Sequence, residues 1–181
     1  KGEKPRQTTE KTIKSAITKG YETVKHTHIS DYQTLYNRVK FTLSGDTASE
    51  KLQTDIRVKQ LQQGFTDDAS LKVLWFNLRR YLLISASRPG TLPSNLQGVW
   101  NTFEKAPWNG DFQSNINLQE MYWGCGPTQL PECEEAYLEW IEGLVEPGRK
   151  TAGEYYGTKG WVSHTTGNRG SHAVPRDDIL G

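Results

Sequence analysis

The chain has 181 residues, enough for one domain of ordinary size with a sizeable core, or for part of something larger. Lys plus Arg number 22 and Asp plus Glu 21, so a net charge of +1 excludes bulk attraction to nucleic acid or to an anionic membrane. Cys125 and Cys133 are too few for a disulfide scaffold and show neither a C-x-x-C nor a zinc-type spacing, and no apolar run approaches a membrane span.

In chain order, Ile13, Ala16, Ile17, Tyr21 and Val24 recur at helical spacing, with Thr8 or Thr9 available as a cap. A second, shorter amphipathic helix is expected from about Ile29 to Val39. A weak helix follows, capped by Thr54-Asp55 and ending near Gly64. From Asp68 to Ser85, residues Leu71, Leu74, Trp75, Leu78, Tyr81 and Leu82 form one stripe, and Val73, Phe76, Leu83 and Ile84 fill much of the other side. That helix is expected to be buried on most of its circumference.

Between Arg88 and Asn115 the periodicity disappears into a proline- and glycine-rich stretch that carries Trp100, Phe103 and Trp108. A connection of that length in a compact domain is usually functional or disordered, and its aromatic residues argue for order. The next helix is announced by Pro131 and acidic residues in its first turn, carries Tyr137, Trp140, Ile141 and Leu144, and is expected to stop at Pro147-Gly148. A short helix over Arg149–Tyr156 and a loop-like remainder complete a mainly α chain with no internal repeat.

The segment W-N-G-D-F-Q-S-N-I-N-L-Q-E-M-Y-W holds the chemistry worth weighing. Asn115 and Asn117 diverge on a helix and share a side only on extended or turning backbone. One reading is structural: Asn117 followed by Glu120 fits a capping box. The other is functional: two fixed amides orient a sugar hydroxyl or a water, while a carboxylate takes the proton, because an amide does not titrate near neutrality. Asp111 and Glu120 are the local carboxylates, and acidic residues of this kind are more often solvated surface. His164 and His172 are separated by a stretch without carboxylate or thiol, so two unrelated histidines are expected and no metal. No P-loop, dinucleotide fingerprint or G-x-S-x-G elbow occurs, and no cofactor is expected.

Taken together, R-Y-L-L-I-S-A-S-R-P-G-T-L-P-S-N-L-Q-G-V-W-N, N-I-N-L-Q-x-x-Y-W, P-E-C-E-E, P-G-R-K-T-A and Y-G-T-K-G-W-V-S-H resemble glycoside hydrolase family 95, the inverting α-L-fucosidases and their relatives. The resemblance covers about Gly20 to Asn168, and H-I-S-D-Y-Q-T-L-Y matches the helix leading into the catalytic domain. It implies a partial (α/α)6 barrel: leading helices and active-site loops of a helical toroid, with 1–45 a helical lead-in and 46–181 the first part of the catalytic domain.

The resemblance further implies that Asn115 and Asn117 hold the attacking water for an aspartate. That aspartate and the general-acid glutamate would both come from segments downstream of Gly181. Trp100, Trp108, Trp123 and His164 become candidate substrate-binding residues, although the indoles could equally pack the loop against the helices. The partner implied is an oligosaccharide or glycan, with no nucleic acid and no membrane, and a further segment or chain completing the barrel; a secreted or periplasmic location is also implied. Glu120, Met121, Gly124 and Cys125 depart from the usual N-x-N-x-Q-M-N-Y-W-P-A, and R-G-S-H-A-V-P-R replaces the usual W-G-x-T-A-P-G, which points to a divergent branch. As supplied, the chain is expected to be inactive; the competing class is a non-catalytic helical carbohydrate-binding or protein-interaction module.

Overall fold

A computed structural model describes residues 5–45, 48–64 and 67–167. Asn168, R-G-S-H-A-V-P-R with His172, and D-D-I-L-G lie outside the described residues. The chain divides into two compact units, Lys1–Arg38 and Val39–Gly181.

The first unit consists of α1 (Pro5–Lys19) and α2 (Tyr21–Tyr36). The helix expected to run through Val24 breaks at Gly20, whose φ of +76° suits glycine and strains other residues. The Gly20 N–H still donates to Ala16 and Ile17, so the break closes α1 while α2 starts at the next residue. Thr9, Thr12 and Thr18 turn their hydroxyls back onto carbonyls four residues earlier, which satisfies them within α1. No described side chain of α1 is buried, and Ile13 and Ile17 are exposed.

The second unit starts with a 3-10 turn (Ala48–Lys51) and α3 (Thr54–Gln62). Gln53 holds the cap position of α3 without a side-chain bond, so Thr54 and Asp55 stand inside the helix instead of capping it. What anchors α3 is Arg57, which grips Asp68 with two parallel hydrogen bonds of 2.8 Å. Asp68 is in turn the N-cap of α4 (Ala69–Ala86) and accepts from the Leu71 N–H at 2.9 Å. Both ionic side chains are buried, and these bonds hold the Asp68 carboxyl well below the usual carboxylate range.

Helix α4 forms where its periodicity places it, but its surroundings differ from expectation. Ala69, Leu71, Arg80 and Ile84 are buried, whereas Leu74, Trp75, Leu78, Tyr81 and Leu82 remain 40–45% exposed. The stripe is real as a pattern, and in the described residues it is only partly covered.

After α4 the chain turns at Pro89-Gly90, makes a 3-10 turn at Pro107–Gly110 and enters a two-residue strand, β1 (Phe112–Gln113). Then come α5 (Asn117–Tyr122), α6 (Pro131–Tyr156) and β2 (Thr166–Gly167), which pairs antiparallel with β1. Helix α6 runs straight through Pro147, so the expected stop and separate short helix merge into one element. An internal proline removes a hydrogen bond and crowds the preceding turn, at about 3 kcal/mol. Burial on both sides of it, at Trp140, Leu144, Gly148, Thr151 and Ala152, offsets that cost.

The elements of this unit meet at one buried hydroxyl. Ser87 donates to the Cys133 carbonyl at 2.7 Å, so the Tyr122 hydroxyl must donate to Ser87 at 2.8 Å; Tyr122 then accepts from the Ser94 N–H at 3.0 Å. The end of α4, the following loop, α5 and the start of α6 are thereby tied together. The two thiols, Cys125 and Cys133, are not joined in a disulfide and lie fully buried beside this relay, and burial pushes the Cys125 thiol up to about 12.

Replacing Tyr122 by Phe strands the Ser94 N–H in the interior, so we expect a loss of about 1–3 kcal/mol in urea unfolding with an unchanged m-value. Arg57→Ala leaves the buried Asp68 carboxylate without its counter-ion and is expected to cost about 3 kcal/mol. The sign of the pH effect follows from the depressed Asp68 value. Its stabilisation is fully present above the unfolded carboxylate value of about 3.9 and is lost as pH falls through the lower folded value. Asp68→Asn should therefore flatten the acid-side fall of the urea midpoint; an unchanged slope would assign acid lability to other groups.

Candidate active site

A ladder of rings leads from the hydroxyl relay to the site. Tyr122 stacks on Tyr137 at 5.0 Å, Tyr137 on Trp140 at 6.5 Å, and Trp140 meets Phe112 of β1 at 5.3 Å. Gly167 of β2 lies directly over the Trp140 indole: a Cβ there would stand 2.5 Å from the ring, so only glycine lets the ribbon sit this close. Gly148 does the same on α6, where a Cβ would meet the Val162 carbonyl at 2.7 Å. The Val162 N–H donates to the Gly148 carbonyl, which fixes the 161–165 segment alongside the helix.

This packing encloses an open cavity of about 350 Å³ lined by Asn115, Gln119, Tyr137, Trp140, Trp161 and His164 among others. Ser114 sews its two edges together, donating its N–H to the Thr165 carbonyl at 2.8 Å and its hydroxyl to the His164 carbonyl at 2.9 Å. Gln119 donates to the Ser114 carbonyl at 2.7 Å, while its own Oε1 is buried without a hydrogen-bond partner. His164 stacks on Tyr156 and its Nε2 lies 3.5 Å from the tyrosine hydroxyl. Among the described residues no carboxylate lines the cavity.

Asn115 and Asn117 sit on a tight corner. Residues 114–116 form a turn, and Ile116 between the two asparagines has a φ of +152°, a strained value for a β-branched residue. The capping box is not formed: Ile116 occupies the cap position, Asn117 is the first helical residue, and no side-chain cap bond exists. Both asparagines are exposed. Unused polar side chains beside backbone strain are what binding sites accumulate.

The structure brings Asn115 and His164 into one cavity and leaves the other candidates outside its lining. Asn117 is one helical position beyond Ile116. Trp100, Trp108 and Trp123 are 57%, 64% and 66% exposed, so none of the three packs the loop as a core residue. Asp111 and Glu120 do not line the cavity either. Sequence reasoning overlooked Tyr137 and Trp140 as cavity walls, because helical periodicity marks them simply as core. Trp161 and Gln119 stand in G-W-V-S-H and N-I-N-L-Q, where adjacency to His164 and Asn117 was the available signal.

Comparison with known proteins places this arrangement. The model of the glycosyl hydrolase family 95 catalytic domain matches residues 20–180. Alpha-L-fucosidase 2 of Arabidopsis thaliana is 44% identical over 154 residues, covering 84% of this chain and 18% of the relative. A probable alpha-fucosidase A of Aspergillus niger is 37% identical over 180 residues, 98% of this chain and 22% of the relative. Its counterpart in Aspergillus oryzae is 36% identical over 174 residues, 95% and 24% respectively. The chain thus spans about a fifth of the length of the curated relatives it matches. With the family match running over residues 20–180, the chain belongs to glycosyl hydrolase family 95 and represents part of its catalytic domain.

Proposed function

We propose that this chain forms one wall of the active site of an α-L-fucosidase-like glycoside hydrolase, acting with inversion on a terminal α-L-fucosyl or related L-sugar unit. The observation that carries the reading is the pair of exposed carboxamides, Asn115 and Asn117, on a strained corner whose Asn115 lines an aromatic cavity with no carboxylate among its described residues. Inverting hydrolysis keeps its acid and base groups apart, roughly 6.5–9.5 Å between carboxyls, to leave room for water. Two amides that position that water act through orientation, and the proton goes to a carboxylate elsewhere. The aspartate that polarises the water and the glutamate that protonates the leaving oxygen belong to other segments of the longer protein. Trp100, Trp108 and Trp123 offer exposed faces on which a sugar can stack.

The part-exposed stripe of α4 supports the same reading. Leu74, Leu78 and Leu82 each keep at least 40% of their surface exposed, and further barrel helices are their proposed cover.

The 181-residue chain is expected to release no fucose from an aryl α-L-fucoside, for want of the acid and the aspartate. In a chain carrying the whole catalytic domain, Asn115→Ala and Asn117→Asp should each lower kcat by about two orders of magnitude or more with little change in KM. Turnover left intact in both variants would return the pair to a purely structural role. Release of the sugar with retained configuration, read by NMR of the first-formed anomer, would sink the inverting mechanism.

A further inference from the structure

The loop between α4 and β1 borders a second cavity, about 510 Å³ in volume, that shares no lining residue with the Asn115 cavity. Its walls carry four carboxamides, Asn95, Gln97, Asn101 and Asn109, together with Thr91, and not one charged side chain among the described residues. Asn95 donates to the Gly110 carbonyl at 3.2 Å, and Asn101 accepts from the Phe103 N–H at 2.9 Å. Two further acceptors, Asn95 Oδ1 and Gln97 Oε1, are buried with no hydrogen-bond partner. Native interiors rarely leave such oxygens unsatisfied, so each marks a place where a donor is missing.

The wall beside them is held in an unusual backbone. Trp108, Asn109 and Gly110 take φ values of +50°, +58° and +67° in succession, a left-handed run that only the last of them adopts at no steric cost. Phe112 lines this cavity and touches Trp140, which lines the Asn115 cavity, so one aromatic pair links the two linings.

We infer that the Asn95–Gln97–Asn109 cavity is a binding subsite for a neutral, hydroxyl-rich ring, the sugar unit adjoining the one in the Asn115 cavity. Carboxamides supply both donors and acceptors to hydroxyls, and a described lining without cation or anion selects against charged sugars. The volume lies in the range of small-molecule sites, roughly 300–1,000 Å³. Neutrality and hydroxyl content follow from the lining alone; the identification of the ring as part of a glycan rests on the function proposed above.

The test is a titration of the 15N-labelled 181-residue chain with methyl β-D-glucopyranoside, with glucuronic acid and with L-fucose, following side-chain amide signals. Saturable shifts at Asn95, Gln97 and Asn109 are expected with the neutral glucoside, and binding about tenfold weaker with the uronic acid. Gln97→Leu should weaken the glucoside by about tenfold. Asn109→Gly, which keeps the left-handed backbone and removes the carboxamide, should weaken it as well and serves if Gln97→Leu fails to fold. Absence of saturable shifts at these amides, equal response to the uronic acid, or unchanged binding in a folded variant each overturns the inference. Shifts confined to Asn115 and Gln119 overturn it while leaving the Asn115 site standing; shifts confined to Asn95 and Gln97 uphold it and remove the Asn115 cavity as a sugar site.

Discussion

The hydroxyl of Tyr122 is the point through which the second unit is held in register. It accepts a hydrogen bond from the Ser94 N–H and donates one to the Ser87 hydroxyl, which in turn donates to the Cys133 carbonyl. Because the chain of donors runs in one direction, each group is satisfied only while the others are in place. Helix α4, the long loop, α5 and α6 are too far apart in sequence to fix one another locally, and this relay replaces local order with a buried, directional link. The rings of Tyr137, Trp140 and Phe112 extend it outward, so the position of the candidate site follows from the position of one phenol.

Close approach does the remaining work of assembly. At Gly148 and Gly167 the missing Cβ atoms allow a loop and a ribbon to lie against α6 at backbone distance. Ser114 and His164 stand 50 residues apart in the chain yet share a hydrogen bond, and neither would find the other without those two contacts. What the cavity offers is accordingly polar groups on loops backed by rings on a helix, a soft edge on a rigid wall.

Much of the scaffold was legible in the sequence. The α4 stripe, the start of α6 at Pro131 and the mainly helical class follow from periodicity and from proline at the first helical turn. The departures have separate physical causes. Periodicity at Leu74, Leu78 and Leu82 reports which face is apolar and says nothing about what covers it. Pro147 reads as a stop because its local cost is visible, whereas the burial that outweighs it is tertiary. Gly20 divides a well-patterned helix through a backbone angle that no pattern of side chains encodes. At the site, Asn115 and Asn117 were conspicuous through their motif, but their capping reading depended on Ile116 keeping an ordinary φ, and it does not. Membership of family 95 was readable from the ordered set of motifs, none of which is decisive alone.

The left-handed run from Trp108 to Gly110 has a thermodynamic consequence for recognition. A loop that is loose in the free protein must surrender its conformational entropy when it closes on a ligand. Here the corner is set as the chain folds, held by Asn95 on the Gly110 carbonyl and by the Asp111 N–H on the Trp108 carbonyl, so that entropy has already gone before any sugar arrives. Binding against such a wall would show a small ordering penalty and a geometry that discriminates by fit, since the corner has little freedom to adapt to the wrong ring.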